Sequence, residues 1–117
     1  MGSKSQRKGA SGERELAAIL RERGYDCQRG GSLTFGEIPD VLGIPGIHME
    51  VKRVERLNVG EAMEQAIRDS ERMVDGVPTL FHRRNRKPWL VTMRLEDWLE
   101  LFEANKMLTK HGQPPGK

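Results

Sequence analysis

Apolar positions along this chain change period several times, and each change predicts an element. Leu16, Ile19 and Leu20 recur at helical spacing. Ser11 can cap their helix, Glu13 to Glu15 favour its positive end and Gly24 stops it, so a helix is expected over residues 11–23. Residues 25–29 read as a short strand closed by Gly30-Gly31-Ser32. Residues 38–44 read as a strand entered through Pro39, and Pro45-Gly46 as a turn. From Ile47 the period is two: Ile47, Met49 and Val51 face one way, His48, Glu50 and Lys52 the other. A helical stripe returns over residues 59–74, with Ala62, Met63, Ala66, Ile67, Met73 and Val74 on one side. Strands over residues 77–83 and 89–93 flank a charged turn at 84–87. A last helix, residues 95–105, carries Leu95, Trp98, Leu99 and Phe102 on its expected inner side. The order α-β-β-β-α-β-β-α, with a crossover helix between the third and fourth strands, predicts an α/β domain built on a mixed central sheet with flanking helices.

Composition narrows the class. A chain of 117 residues is one domain in size, and its 36% hydrophobic and 32% charged residues are compatible with a packed core. There is no apolar run of membrane-spanning length and no hydrophobic signal core, so neither a membrane partner nor secretion is expected. Cys27 is the single cysteine and cannot form an internal disulfide, which fits a reduced, cytoplasmic setting. His48, His82 and His111 lack zinc-ligand spacing. The net charge of +3 is weak support for a phosphate-rich partner; its distribution says more. Residues 1–9, with Lys4, Arg7 and Lys8, read as a flexible basic arm, residues 10–109 as the folded domain, and the Gly/Pro-rich residues 110–117 as a disordered tail.

Three carboxylates and a lysine stand out. Glu13 falls on the apolar stripe of the first helix, where a carboxylate is costly unless compensated; satisfying first-turn backbone donors would explain it. Glu50 and Lys52 project from one face of their strand, and the Pro45-Gly46 turn can bring Asp40 opposite Glu50. Two close carboxylates are stable mainly around a cation, and an oxygen-only donor set favours Mg²⁺ or Mn²⁺. A lysine beside such an ion can orient a water or stabilise charge developing on a phosphodiester. Taken alone, however, Glu-X-Lys on a strand is better explained as an exposed salt-bridging face. Arg83, Arg84, Arg86 and Lys87 make a cationic turn that either pairs with the acidic last helix or grips phosphates; the weakness of exposed ion pairs favours the phosphates.

Pro39-Asp40 followed by Glu50-Val51-Lys52 resembles the PD-(D/E)XK nuclease motif, and the α-β-β-β-α-β order resembles the core of that superfamily, the restriction-endonuclease-like fold. More closely, Arg7-Lys8-Gly9-Ala10, Glu13-Arg14-Glu15-Leu16, Gly24-Tyr25, Arg29, Gly31-Ser32, Pro39-Asp40-Val41 and Met49-Glu50-Val51-Lys52 resemble the archaeal-type Holliday junction resolvases over residues 7–53. The resemblance implies a Mg²⁺-dependent endonuclease, with Mn²⁺ as substitute, that cuts four-way DNA junctions as a homodimer. It implies Asp40 and Glu50 as metal ligands, Lys52 as the residue assisting the attacking water, and Glu13 as a fourth catalytic member. Lys8, Arg14, Arg29 and Ser32 would meet DNA, joined by the cationic turn. Gln65 is either site-facing or simply solvated. Branched DNA is then the expected partner, with no small-molecule substrate, in a prokaryotic cytoplasm or that of a virus-infected host. The alternatives are a nuclease of the same superfamily acting on flaps, nicks or duplex, and a catalytically silent DNA-binding protein.

Overall fold

The computed structural model describes residues 2–30 and 39–110, with side chains over 10–30 and 39–107. Ser32, the side chain of Lys8 and the expected tail beyond residue 110 lie outside the described residues. Eight elements follow in the order expected: α1 (Gly2–Glu22), β1 (Gln28–Arg29), β2 (Val41–Leu42), β3 (Ile47–Arg53), α2 (Val59–Met73), β4 (Val77–Arg83), β5 (Leu90–Thr92) and α3 (Leu95–Lys110). α1 begins at Gly2, inside the stretch expected as a basic arm, rather than at Ser11. Residues 3–8 contain no proline, and an interior glycine costs a helix only about 1 kcal/mol, so Gly9 and Gly12 do not break it.

The strands lie in the spatial order β1-β2-β3-β4-β5. β1 with β2, β2 with β3 and β4 with β5 are antiparallel. β3 and β4 run parallel, from Ile47 beside Val77 to Arg53 beside Arg83, with α2 as the crossover. The sheet is therefore mixed, and β3 is at its centre.

Two close approaches lock the frame. Gly12 on α1 sits so near β3 that a Cβ there would meet the Arg53 Cβ at 2.8 Å. Gly76, at φ +141°, passes between α2 and β4 with its Cα against the backbone of Gly46, where a Cβ would come within 2.5 Å of the Gly46 carbonyl carbon. Gly46 in turn accepts a hydrogen bond from Val77 N at 2.8 Å. Only glycine combines that φ with that approach.

The alternation of β3 separates two faces. Met49 and Val51 join Leu16, Ala17, Cys27 and Val41 in the main apolar cluster under α1. The opposite face carries His48, Glu50 and Lys52 and is covered by α2, which turns the small residues Ala62, Ala66 and Ser70 inward. Asn58 caps α2 by accepting from Glu61 N at 3.0 Å.

α3 departs from expectation. Its apolar residues do not turn inward: Leu95 is 71% exposed, Trp98 49%, Leu99 38% and Phe102 46%, with Leu101 and Met107 also exposed. Trp98 and Phe102 stack on each other, with ring centroids 5.4 Å apart. The periodicity correctly marks an apolar stripe, but the helices that cover the sheet are α1, against β1 to β3, and α2, against β3 and β4, so the stripe of α3 stays exposed. Among the described residues, no helix is long and apolar enough to cross a membrane.

Candidate active site

β2 and β3 pair at Val41 and Met49. Continuing that antiparallel register by one residue sets Asp40 opposite Glu50, where side chains share a face. Asp40 is fixed there by its Oδ2, which accepts the Val51 N–H at 2.8 Å. Burial, and then the Glu50 charge, push the Asp40 carboxyl up to about 7; Glu13 adds to the rise, while the Val51 hydrogen bond and Lys52 oppose it. The four residues expected to carry the chemistry, Glu13, Asp40, Glu50 and Lys52, thus share one electrostatic neighbourhood centred on Asp40.

Glu13 is not spent on backbone donors. It accepts from Arg29 Nε at 2.7 Å, so α1 and β1 are bridged at the edge of the site by an ion pair that burial partly shields from water. Lys52 lines an open groove of about 560 Å³ together with Gln65 and Arg68 from α2. Gln65 thus shares a groove with Lys52, while Glu13, Asp40 and Glu50 do not line it.

Glu50 is 4% exposed and has a partner that spacing did not assign. His48, wholly buried, places Nε2 3.2 Å from Glu50 Oε1. Its Nδ1 lies 2.8 Å from Asp75 Oδ2. Burial works to lower the His48 pKa, but the hydrogen bonds to Glu50 and Asp75 outweigh it and raise it. Asp69 on α2 comes close too: ligand atoms of His48, Glu50 and Asp69 all lie within 4.8 Å of one another. The alternation placed His48 on the face of Glu50, which was the available signal. Asp75 carries none, since it reaches the site only through the turn that ends α2.

The cationic turn divides. Arg83 does not meet the acidic α3. It pairs with Glu15 of α1, which also accepts from Arg53 Nε at 3.1 Å. Arg83 Nε further donates to the Lys87 carbonyl at 2.7 Å, closing the turn. Arg84, Arg86 and Lys87 are exposed, as is Arg14 on α1.

The donor set fits a hard divalent cation. Asp40 and Glu50 offer carboxylate oxygens from neighbouring strands, and burial first, then the Glu50 charge, pushes Asp40 up, which a bound cation would offset. A mixed α/β sheet that presents Asp40 against Glu-X-Lys on the adjacent strand defines the restriction-endonuclease-like fold.

The family to which the chain belongs is narrower: it is the archaeal Holliday junction resolvase (Hjc) family, whose model matches residues 4–110. Membership makes the chain a DNA-binding nuclease of recombination. The fold is similar to that of Archaeoglobus fulgidus Hjc, a Holliday junction resolvase from an archaeal hyperthermophile. The TM-score is 0.54 and the identity 21%, over 74% of this chain and 72% of that one. No curated protein matches the chain.

Proposed function

We propose that this protein is a divalent-metal-dependent endonuclease that resolves four-way DNA junctions by phosphodiester hydrolysis, acting as a homodimer inside the cell. The observation that supports this reading is that Asp40, set opposite Glu50 by the β2–β3 register, feels the charges of Glu50 and Lys52 within a fold of the resolvase family. Asp40 and Glu50 would hold Mg²⁺, or Mn²⁺ in its place, which when bound supplies Lewis-acid activation of the scissile phosphate and of water. Lys52 Nζ orients the attacking water and balances negative charge as it grows on the phosphoryl oxygens. The water's oxygen bonds to phosphorus as the bond to the 3′ oxygen breaks, leaving 5′-phosphate and 3′-hydroxyl ends. Glu13 holds Arg29 by its Nε, so the guanidinium's remaining donors point their charge at a strand phosphate rather than drifting with solvent.

Lys8, Arg14, Ser32, Arg84, Arg86 and Lys87 are proposed to contact DNA backbone, with Arg83 shaping the turn through Glu15. Such contacts position DNA without reading bases, so selectivity comes from the shape of the junction. One chain carries one Asp40/Glu50/Lys52 set, whereas a junction has two equivalent strands to cut, so symmetric cutting needs a twofold pair. The exposed Leu95, Trp98, Leu101 and Phe102 of α3 give that pair an apolar surface.

A panel of labelled four-way junction, flap, nicked duplex and linear duplex, with and without Mg²⁺, tests the reading. Mg²⁺-dependent cutting preferring the junction supports it. Equal cutting of all four substrates favours a general nuclease, and binding without cutting a silent DNA-binding protein.

A further inference from the structure

His48 has no exposed surface, and both ring nitrogens face carboxylates: Nδ1 is 2.8 and 2.9 Å from the two oxygens of Asp75, and Nε2 is 3.2 Å from Glu50 Oε1. Each ring nitrogen lies within hydrogen-bond distance of a carboxylate oxygen, so the ring links Asp75 to Glu50. Burying an imidazole is costly unless its nitrogens are hydrogen-bonded, and here the two carboxylates supply those partners. The apolar cluster does not need it, because it lies on the other face of β3.

We propose that His48, gripped by Asp75, is a positioning residue that fixes the Glu50 carboxylate for metal binding. This rests on the reading of Glu50 as a metal ligand. Nε2–H holds Oε1, which restrains rotation of the carboxylate. Asp75 braces the ring from the loop after α2, and its grip on Nδ1 with both oxygens sets the ring plane. Asp69, the other acid near this pair, is itself held by Arg72 at 3.1 Å. Groups that orient a ligating side chain in this way are typically worth about 10–100-fold in metal affinity. The device joins the end of the crossover helix to the centre of the site, so the packing of α2 is transmitted to the metal ligand.

Mn²⁺ titrated into the full chain by calorimetry tests it, alongside the Mg²⁺ concentration needed for half-maximal junction cutting and the melting temperature. His48→Leu keeps the bulk and removes the donor; it should bind Mn²⁺ about 10–100-fold more weakly. His48→Gln, whose amide can still donate to Glu50, should recover most of that loss, and Asp75→Asn should weaken binding less than His48→Leu. The half-maximal Mg²⁺ concentration should rise in the same order. A folded His48→Leu that binds Mn²⁺ as tightly as the wild type overturns the proposal. Where His48→Leu does not fold, Asp75→Asn decides, and unchanged affinity there overturns it. Wild type that binds no Mn²⁺, or Asp40→Asn that binds it undiminished, would instead remove the metal site itself, and this positioning role with it.

Discussion

The two faces of β3 are made by alternate residues of one seven-residue strand, yet they do opposite things. Toward α1, Met49 and Val51 close an apolar cluster with Leu16, Ala17, Cys27 and Val41. Toward α2, His48 and Glu50 are just as completely buried, but their side chains are joined by hydrogen bonds to each other and to Asp75. The first face gains stability from removing methyl and thioether groups from water. The second gives stability up: it buries carboxylates, and burial first, then the Glu50 charge, lifts Asp40 to about 7. Burial alone therefore does not distinguish core from site; what the buried groups are partnered with does.

Substitutions on the two faces should separate accordingly. The largest effect belongs to the α2 face: Asp40→Asn or Glu50→Gln should drop junction cutting to background while leaving junction binding intact or tighter. Each removes a charge that repels phosphate when no metal is bound. Paired gel-shift and cleavage assays check this, and a variant that still cuts would blur the distinction between the faces.

The mirror experiment is Met49→Ala on the α1 face. Met49 is fully buried, so its truncation should cost about 2–5 kcal/mol in denaturant unfolding. Cutting by the protein that remains folded should change little.

The faces also differ in their response to pH. Because the folded pKa of Asp40 lies above its ordinary value of 3.8, the folded state holds a proton between about pH 4 and 7 that the unfolded state has released. The contribution is full below about pH 4 and lost as pH rises through about 7. Metal-free protein should lose up to about 4 kcal/mol of stability across that window. Asp40→Asn should lose much less, and so melt higher than wild type at pH 8. Metal-free melting curves between pH 4 and 8 check both. Identical pH slopes for the two proteins would deny that the site strains the fold.

The smallest effect is at the edge of the α2 layer, where Asn58→Ala removes the cap on Glu61 N and should cost about 1 kcal/mol by denaturant unfolding.

Much of this contrast was legible in the chain. The period-two run Ile47–Arg53 fixes which residues share a face, and the Pro45-Gly46 turn brings β2 back antiparallel, so the pairing of Asp40 with Glu50 is legible in the sequence. Glu13 was visible as a carboxylate in the wrong place on an apolar stripe, and Arg29 is what compensates it. What was not legible depends on tertiary packing. Asp75 is 27 residues from His48 and meets it only because Gly76 lets the chain turn tightly onto Gly46. The Arg83 partner, Glu15, lies at the other end of the sequence for the same kind of reason. The stripe of α3 was read correctly as apolar and wrongly as inward, since periodicity reports that a face needs covering and says nothing of what covers it.

The central claim is that the polar face of β3 performs metal-assisted hydrolysis of a branched DNA. The most direct measurement maps the cuts on a four-way junction labelled in turn on each strand, with Mg²⁺ and with EDTA, for the wild type and Glu50→Gln. The account predicts paired cuts at symmetric positions on two opposing strands, with 5′-phosphate ends, present only for the wild type with Mg²⁺. Cutting that persists in EDTA or in Glu50→Gln would contradict it.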